Sequence, residues 1–386
     1  MTTLTSQAAE PRPACAAPRD ADRDSRHGAM ALAAALPGDT VLYLLLPMFH
    51  DAFGVTLAEA GMLLAANRLV RIAGYGWVAR FYARRGDRIT CTLAVAAAAL
   101  CALGYATLSG FWALLPLRLV WGLSFAALNL STQVLATSAA EGAAARSGRS
   151  RAYIALGPLV GLPAGALLAQ AAGPRPIFVA LAALALAGWL AARRLPALPH
   201  PAAAAAGRPR QRLPNALDTW SFLEGFTLDG LFVIGLSYLG RDLLPGNAVA
   251  AAGTLMALRY GAEIVLSPVG GRMAGAWGAE RLLVVLSLLT SLSLAGFGHG
   301  WLGSCALAIV ILRALQLPLL PPIVARRHPG PDRVRALAAR SVWRDIGAGT
   351  GPLAAGLLLP VMPASWMYGA AALMLAVAAL ACARTR

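Results

Sequence analysis

Eleven ionisable side chains interrupt long apolar runs of this chain. Five are acids and six are arginines: Asp39, Glu224, Asp229, Glu263, Asp345, Arg68, Arg71, Arg118, Arg259, Arg313 and Arg344. Each charge placed in a hydrocarbon environment costs about 2.5–3.5 kcal/mol, so the set would cost about 30 kcal/mol if its members were left alone. We therefore expect these groups to pair or to face a polar cavity, where a carboxylate can bind and release a proton.

Asp39 is the leading candidate for an acid that titrates. It lies near the middle of the first apolar run, with Tyr43 one helical turn beyond it. Arg118, which is permanently charged, is its expected partner. A proton-coupling role for Asp39 and a fixed structural pair with Arg118 are both compatible with this pattern. Asp229 and Arg313 repeat the arrangement in the second half of the chain.

A central cavity is expected to collect the remaining polar and aromatic residues. The candidates for its lining are Tyr43, Asn67, Arg71, Phe125, Asn129, Glu224, Arg259, Glu263 and Arg313. Arg259 and Glu263 are four residues apart, which predicts a local ion pair. Glu224 has two possible roles, lining the cavity or approaching Arg259. The adjacent residues Arg344 and Asp345 either belong to the functional charges of the interior or, in the favoured interpretation, form an ion pair at the cytoplasmic end of their helix.

Twelve membrane-spanning helices are needed to position these residues. Apolar residues make up 58% of the 386-residue chain and charged residues only 13%, and a span needs about 20 mostly apolar residues. The predicted spans are 31–52, 59–79, 89–109, 111–138, 152–172, 175–192, 217–240, 249–271, 281–298, 301–324, 341–360 and 365–383. The sequence thus predicts an all-α membrane protein.

Arginine clusters alternate with arginine-poor loops along the chain. All 33 basic residues are arginine, and they gather in the N-terminal segment, after every second span and at the C-terminus. Because positive charge resists translocation, these segments and both termini are predicted to be cytoplasmic, in a bacterial inner membrane. The net charge of +16 is expected to contact lipid headgroups rather than nucleic acid.

Two halves of similar design follow a polar N-terminal segment. Residues 1–29 are predicted to be a disordered tail, 30–194 and 216–386 two six-helix bundles, and 195–215 a linker rich in Pro, Ala and Arg. Matching residues recur at a nearly constant shift: Asp39 with Asp229, Arg118 with Arg313, and Gly157-Pro158-Leu159 with Gly351-Pro352-Leu353. Parallel six-helix repeats with a ligand site between them are one known plan of secondary transporters.

Several motifs in this order resemble the major facilitator superfamily. After the second span, Arg84, Gly86 and Arg88 fit that family's Gly-x-x-x-Asp-Arg-x-Gly-Arg-Arg signature, while Ala79 and Ala83 replace its first Gly and its Asp. Arg118 and Gly122 fit its Arg-x-x-x-Gly pattern. The segment from Gly157 and Pro158 to Gly161 is similar to the motif of proton-exchanging exporters, and it has a partial counterpart in Gly351 and Pro352.

The resemblance implies two pseudo-symmetric six-helix bundles that work by alternating access. It implies a proton-coupled exporter of a small organic molecule such as a drug, siderophore or metabolite, with protons and lipid as its other partners, acting as a monomer. Two alternatives stay open: an importer of a nutrient or lipid precursor, and a sensor or scaffold that does not transport.

Enzymatic and cofactor-dependent roles are disfavoured by residue types. A chain without Lys has neither a Walker A phosphate loop nor a Schiff-base lysine. The five histidines lie in the N-terminal segment, in loops or near span ends, and the five cysteines show no metal-ligand spacing. We expect no enzyme activity, no cofactor and no metal, and an ion gradient as the energy source.

Overall fold

A computed structural model describes residues 18–197, 214–239, 248–330 and 332–384. The described residues form helices at all twelve predicted span positions, numbered α1 to α12 in chain order. Their bounds are Pro18–Ala35 with Pro37–Met48 (α1), Leu57–Thr107 (α2 and α3, divided at Gly86), Phe111–Ala136 (α4), Ala143–Ala172 (α5), Pro176–Ala192 (α6), Ala216–Glu224 with Gly225–Leu231 and Phe232–Leu239 (α7), Ala248–Trp277 (α8), Ala279–Gly298 (α9), Leu302–Gln316 with Leu320–Arg327 (α10), Asp332–Leu358 (α11) and Ala364–Arg384 (α12). A short 3₁₀ helix, His50–Phe53, follows α1. The predicted all-α, twelve-helix class is confirmed.

Three breaks shape the helices that carry charged residues. Gly86 separates α2 from α3 with φ 74°, ψ −179°, a conformation that favours glycine because it has no Cβ. In α1 a turn at Leu36 precedes Pro37. In α7 the residues Gly225–Leu231 form a π-helix, which includes Asp229. Local π-helical segments are rare and are frequent at functional sites.

The first helix begins earlier than predicted. Residues 18–29, which the sequence analysis assigned to a disordered tail, belong to α1. They are held in place by packing and charge: Ala21 and Ala29 are buried, and the Asp22 carboxylate lies 2.9 Å from Nη2 of Arg149 on α5. The prediction of disorder is therefore wrong from Pro18 onward. Residues 1–17 and most of the predicted linker lie outside the described residues.

Seven helices of the described residues are long and apolar enough to cross a membrane. They lie in α1, the joined α2 and α3, α4, α5, α9, α10 and α12, and α6 is a shorter apolar helix. The other long helices, α8 and α11, carry the interior charges Arg259, Glu263, Arg344 and Asp345. A polar stripe facing the inside of the bundle lowers mean hydropathy without exposing charge to lipid.

Exposed tryptophans mark two levels on the outside of the bundle. Trp112, Trp301 and Trp366 stand at or beside the starts of α4, α10 and α12 and are 70–80% exposed. Three others, Trp77, Trp189 and Trp277, lie towards the ends of α2, α6 and α8 and are 41–62% exposed. Tryptophan is enriched at both membrane–water interfaces. These two groups delimit the membrane-embedded band of a multi-pass protein.

Glycines bring α5 against α1 at backbone distance. A Cβ on Gly157 would lie 1.9 Å from the carbonyl oxygen of Ala33, and one on Gly161 would lie 2.9 Å from Cβ of Pro37. Small residues at a spacing of four allow membrane helices to approach this closely. The predicted motif from Gly157 to Gly161 therefore packs beside the part of α1 that carries Asp39.

The second half repeats this packing between α11 and α7. A Cβ on Gly347 would lie 2.0 Å from the carbonyl oxygen of Phe222, and one on Gly351 would lie 2.3 Å from that of Phe226. Pro352 borders the same contact, with its Cδ 3.0 Å from the position of a Cβ on Gly230. The predicted correspondence of Gly157 with Gly351 is thus reflected in equivalent helix contacts.

The halves meet along α5 with α8 and along α2 with α11. Near one end of the bundle, a Cβ on Gly148 of α5 would lie 2.4 Å from the carbonyl oxygen of Ser267 on α8. Towards the other end, a Cβ on Gly253 of α8 would lie 3.1 Å from Cβ of Ala166 on α5. Close contact at both ends leaves only a narrow space between the halves.

We predict that Gly351→Ala lowers the melting temperature of the detergent-solubilised protein. The added methyl group meets backbone of α7, which does not move aside as a side chain would, and such overpacking costs about 1–3 kcal/mol. Gly349→Ala is the matched control on the same helix, because a Cβ there meets nothing within 4 Å. Equal melting temperatures for the two variants would contradict the backbone contact.

Candidate functional site

Asp39 forms the charged centre of the first half. Its Oδ1 lies 2.5 Å from Nη1 of Arg118 and accepts a hydrogen bond from Nδ2 of Asn67 at 3.3 Å. The side chain of Arg118 is 0% exposed, and its Nε donates to the carbonyl oxygen of Leu63 at 3.1 Å. The predicted partnership of Asp39 and Arg118 is present as a buried ion pair within one half.

Tyr43 completes the surroundings of this pair. Its ring lies under the guanidinium of Arg118, with Cζ 5.3 Å from the ring centroid, and its hydroxyl donates to the carbonyl oxygen of Leu64 at 3.0 Å. A cation over an aromatic face is attracted by the ring quadrupole. Tyr43 therefore supports Arg118. It was predicted to line the central cavity, but it is not among the residues that line the cavity between the halves.

The second half holds a larger network centred on Asp229. Three guanidinium groups reach this carboxylate: Arg313 at 2.7 Å, Arg259 at 2.9 Å and Arg344 at 2.6 Å. Arg313 also lies 3.0 Å from Glu263. The expected pairing of Asp229 with Arg313 is found, and it belongs to a cluster of several charges, whereas Asp39 has one arginine.

Two acids link this cluster to its flanks. Glu224 accepts from Nε of Arg344 at 2.8 Å, so of its two predicted roles it lines the cavity and pairs with Arg344 rather than with Arg259. The predicted local pair of Arg259 and Glu263 is present but long, at 3.8 Å. Arg259 makes its closer contact with Asp229, because its Nη2 reaches across to α7.

A buried ion pair joins the two halves. Arg71 of α2 lies 2.7 Å from the carboxylate of Asp345 on α11, and its Cζ stands 4.7 Å from the ring centroid of Phe125. Beside it, Arg68 donates to the carbonyl oxygen of Ala348. The prediction that Arg344 and Asp345 pair with each other is wrong. Consecutive helical residues point about 100° apart, so each finds a partner on a different helix.

A small cavity lies between the halves next to these pairs. It encloses about 50 Å³, whereas sites for drug-sized ligands occupy about 300–1,000 Å³. Its lining includes the predicted residues Phe125, Asn129 and Glu224 together with Tyr75, Gln133, Arg151, Trp220, Gln316, Arg340, Ser341, Arg344 and Asp345. A drug-sized molecule does not fit into a cavity of this volume. The halves must therefore move apart before such a molecule can bind.

Five other predicted lining residues lie in the ion-pair networks. Asn67, Arg71, Arg259, Glu263 and Arg313 use their side chains on the partners described above and do not line this cavity. Depth in a helix was the only guide that the sequence offered, and depth does not distinguish a residue that faces open space from one that faces another helix.

The loop between α2 and α3 places its signature residues on the surface and below it. Arg84 is exposed. Arg88 donates from Nε to the carbonyl oxygen of Leu195 at 2.8 Å, beyond the end of α6. Asp87 was not among the predicted site residues, yet it is 1% exposed and accepts from Tyr82 Oη at 2.7 Å and Ser131 Oγ at 2.6 Å. The sequence feature that could have singled out Asp87 is an acidic residue at a position where the family signature has Arg.

Comparison with known proteins identifies the family. The model of the Major Facilitator Superfamily matches residues 28–240 and 221–386, so the chain belongs to this superfamily. Its fold and its two six-helix halves are those of a secondary transporter rather than of an enzyme. No curated relative matches the sequence.

Two solved structures illustrate the shared fold. The human organic anion transporter MFSD10 (TETRAN) is 17% identical with a TM-score of 0.77, over 94% of this chain and 99% of that chain. The proton:xylose symporter XylE, bound to 6-bromo-6-deoxy-D-glucose, is 11% identical with a TM-score of 0.72, over 95% of both chains. At these identities the likeness establishes the fold and leaves the substrate open.

We predict that Arg118→Gln destabilises the protein more than Arg259→Gln does. Removing Arg118 leaves Asp39 without a guanidinium, and breaking a buried pair costs about 3–5 kcal/mol. Arg259 is 33% exposed, and Asp229 keeps Arg313 and Arg344 when it is lost. Thermal unfolding of both variants in one detergent measures the difference.

The double variant Asp39→Asn/Arg118→Gln provides the control for this comparison. Because it removes both charges, it is expected to recover part of the stability lost in Arg118→Gln alone. The stability lost in the double variant is compared with the summed losses of Asp39→Asn and Arg118→Gln measured separately. A loss equal to or larger than this sum would contradict a favourable direct interaction between the two residues.

Proposed function

We propose that this protein is a proton-coupled exporter of a small organic molecule, working by alternating access in the bacterial inner membrane with both termini in the cytoplasm. The observation that carries the proposal is the buried pair of Asp39 and Arg118, which is tied by glycine contacts to a helix at the interface between the halves. A gradient drives transport only if proton affinity differs between the outward and inward conformations.

The surroundings of the two candidate acids favour Asp39 as the proton carrier. Protonation of Asp229 would remove the carboxylate that three guanidinium groups share and would disturb their further contacts with Glu224 and Glu263, whereas protonation of Asp39 would change a single pair. The smaller electrostatic change makes Asp39 the group that a conformational shift can switch between its charged and neutral forms. In this proposal Asp229 holds the second half together.

The contact between α5 and α1 links this acid to the conformational change. Gly157 and Gly161 pack on Ala33 and Pro37 of α1, within two turns of Asp39. Helix α5 also packs along α8 of the other half. Movement of α5 against α8 would therefore shift α1 relative to α4, which carries Arg118, and alter the distance between acid and base.

The direction of transport rests on the same segment. Gly157, Pro158 and Gly161 resemble the motif of proton-exchanging exporters, and the close contact of Gly157 and Gly161 with α1 supports a role in conformational change rather than in surface packing. The arginine-rich loops support cytoplasmic placement of the even-to-odd turns and of both termini. Together these features favour export from the cytoplasm in exchange for protons.

Opening of the halves is expected to break the contacts that cross between them. The pair of Arg71 and Asp345 and the hydrogen bond from Arg68 to Ala348 join α2 to α11. In the alternating-access scheme these contacts close one side of the passage and are replaced by water or substrate on the other. Asp345 and Arg71 thus belong to the gate in this proposal.

We predict that Asp39→Asn abolishes transport driven by a pH gradient. A transported compound is first identified by comparing the accumulation of a compound library in cells with and without the protein. Its uptake is then measured in everted membrane vesicles whose interior is made acidic. Wild-type vesicles are expected to accumulate the compound, while Asp39→Asn vesicles are not, because the amide of asparagine does not take up a proton from the acidic interior.

Asp51→Asn is the matched control for this experiment. It makes the same chemical change at a side chain that is 95% exposed in the turn after α1, and it is expected to transport as the wild type does. Gradient-driven accumulation that persists in Asp39→Asn would exclude Asp39 as the coupling acid. Accumulation that requires the opposite gradient would indicate an importer.

A further inference from the structure

Arg151, a cation of the central cavity, has no carboxylate partner among the described residues. Arg151 lies eight residues into α5 and lines the cavity between the halves. Among the residues that the structure describes, no hydrogen bond or ion pair engages its guanidinium. The charged groups that act on it through space are Arg344, Glu263, Arg313 and Glu224.

The other charges around the cavity are already neutralised. Glu224 contacts Arg344, Asp345 contacts Arg71, and Arg340 contacts Asp218. With Arg151, Arg340 and Asp218 added to the eleven charges that interrupt the spans, this set holds eight arginines against six carboxylates, an excess of two positive charges. One of the two excess charges is on Arg68, whose guanidinium donates a hydrogen bond to the backbone carbonyl oxygen of Ala348. The remaining excess stands at the cavity wall, on Arg151.

Neighbouring groups add a hydrogen-bond donor to this charge. Gln133 of α4 lines the same cavity, and its side-chain amide has no hydrogen-bond partner within the described residues. Arg151 and Gln133 also line a smaller adjoining space beside Ser147 and Ser150. A planar guanidinium beside an amide suits an acceptor with two oxygens, because a fork of N–H groups binds such a group bidentately.

We infer that Arg151 binds an oxyanion of the transported molecule, so that the substrate is a small organic acid or its phosphate counterpart. A cationic substrate would meet an uncompensated positive charge in a site of low dielectric, which costs more than a neutral wall does. This inference deepens the proposed function and rests on it, since it treats the cavity as the place where cargo binds. Binding can nevertheless be tested without any gradient.

The first test measures binding to the purified full-length protein in lipid nanodiscs. The probes are small organic carboxylates and phosphate monoesters, each beside its neutral amide or methyl ester, and the readout is the shift in melting temperature with concentration. We expect anions to bind to the wild type and their neutral counterparts to bind at least about tenfold more weakly, the size of one charge-assisted hydrogen bond.

Variants at Arg151 assign the effect to this residue. Arg151→Gln is expected to weaken anion binding about tenfold or more, while Arg151→Lys keeps the charge and part of the affinity. Arg149→Gln is the matched control on the same helix, because Arg149 is 49% exposed and pairs with Asp22. Equal anion affinity in Arg151→Gln and the wild type would overturn the assignment. Anions that bind no better than their neutral counterparts, or not at all, would overturn the substrate class.

A second measurement reports the charge at the cavity wall without any ligand. Gln133→Cys places a thiol at the cavity wall, and the cysteines of the described residues are all buried. The ratio of its reaction rates with sulfonate-bearing and trimethylammonium-bearing methanethiosulfonates reports the local potential. Adding Arg151→Gln is expected to lower this ratio about tenfold, and an unchanged ratio would contradict the inference.

These outcomes are separable from failure of the proposed function. If anions bind through Arg151 but no pH gradient drives their accumulation, proton coupling is wrong and the anion site stands. If gradient-driven transport of a neutral or cationic compound is found while Arg151→Gln behaves as the wild type, the anion site is wrong and the transporter stands.

Discussion

A guanidinium or a carboxylate inside this bundle is stable only where an opposite charge or a hydrogen-bonding group lies against it, because both ions lose their hydration there. That constraint governs how the helices meet. Arg118 reaches Asp39 from α4 to α1, Arg313 and Arg259 reach Asp229 from α10 and α8 to α7, and the contact between Arg71 and Asp345 bridges the halves. Each pair fixes a helix position that apolar packing against lipid would leave loose, since lipid is as apolar as the side chains it contacts.

The two halves satisfy the constraint in different ways. The first half carries one acid–base pair supported by an amide and an aromatic ring, and the second carries a cluster in which three arginines share Asp229. A single pair has two alternatives, charged and neutralised, that differ by one proton. In a cluster of several charges, adding one proton changes the contacts of several arginines at once. This asymmetry between halves that share a fold is the basis of our proposal that the first half binds the proton and the second half maintains structure.

Much of this arrangement could be predicted from particular residues. The correspondences of Asp39 with Asp229 and of Gly157 with Gly351 anticipated equivalent positions, and the structure confirms both in the ion pairs and in the glycine contacts. Other features could not be predicted because they depend on which way a side chain points. Arg344 and Asp345 are neighbours in sequence and have partners on different helices. Arg151 looked like part of an arginine-rich loop, but α5 begins at Ala143, so two helical turns carry this residue inward to the cavity.

The amino-acid sequence by itself determined the number of spans, the internal repeat and the presence of charges that must be compensated, because these follow from composition and from spacing along one chain. Only the tertiary structure decided which charge compensates which, that residues 18–29 are helical, and that Arg151 has no carboxylate partner in the part of the chain that the structure describes. Those outcomes depend on distances of a few ångströms between helices far apart in the chain, and Coulomb interaction and backbone contact vary steeply over that range.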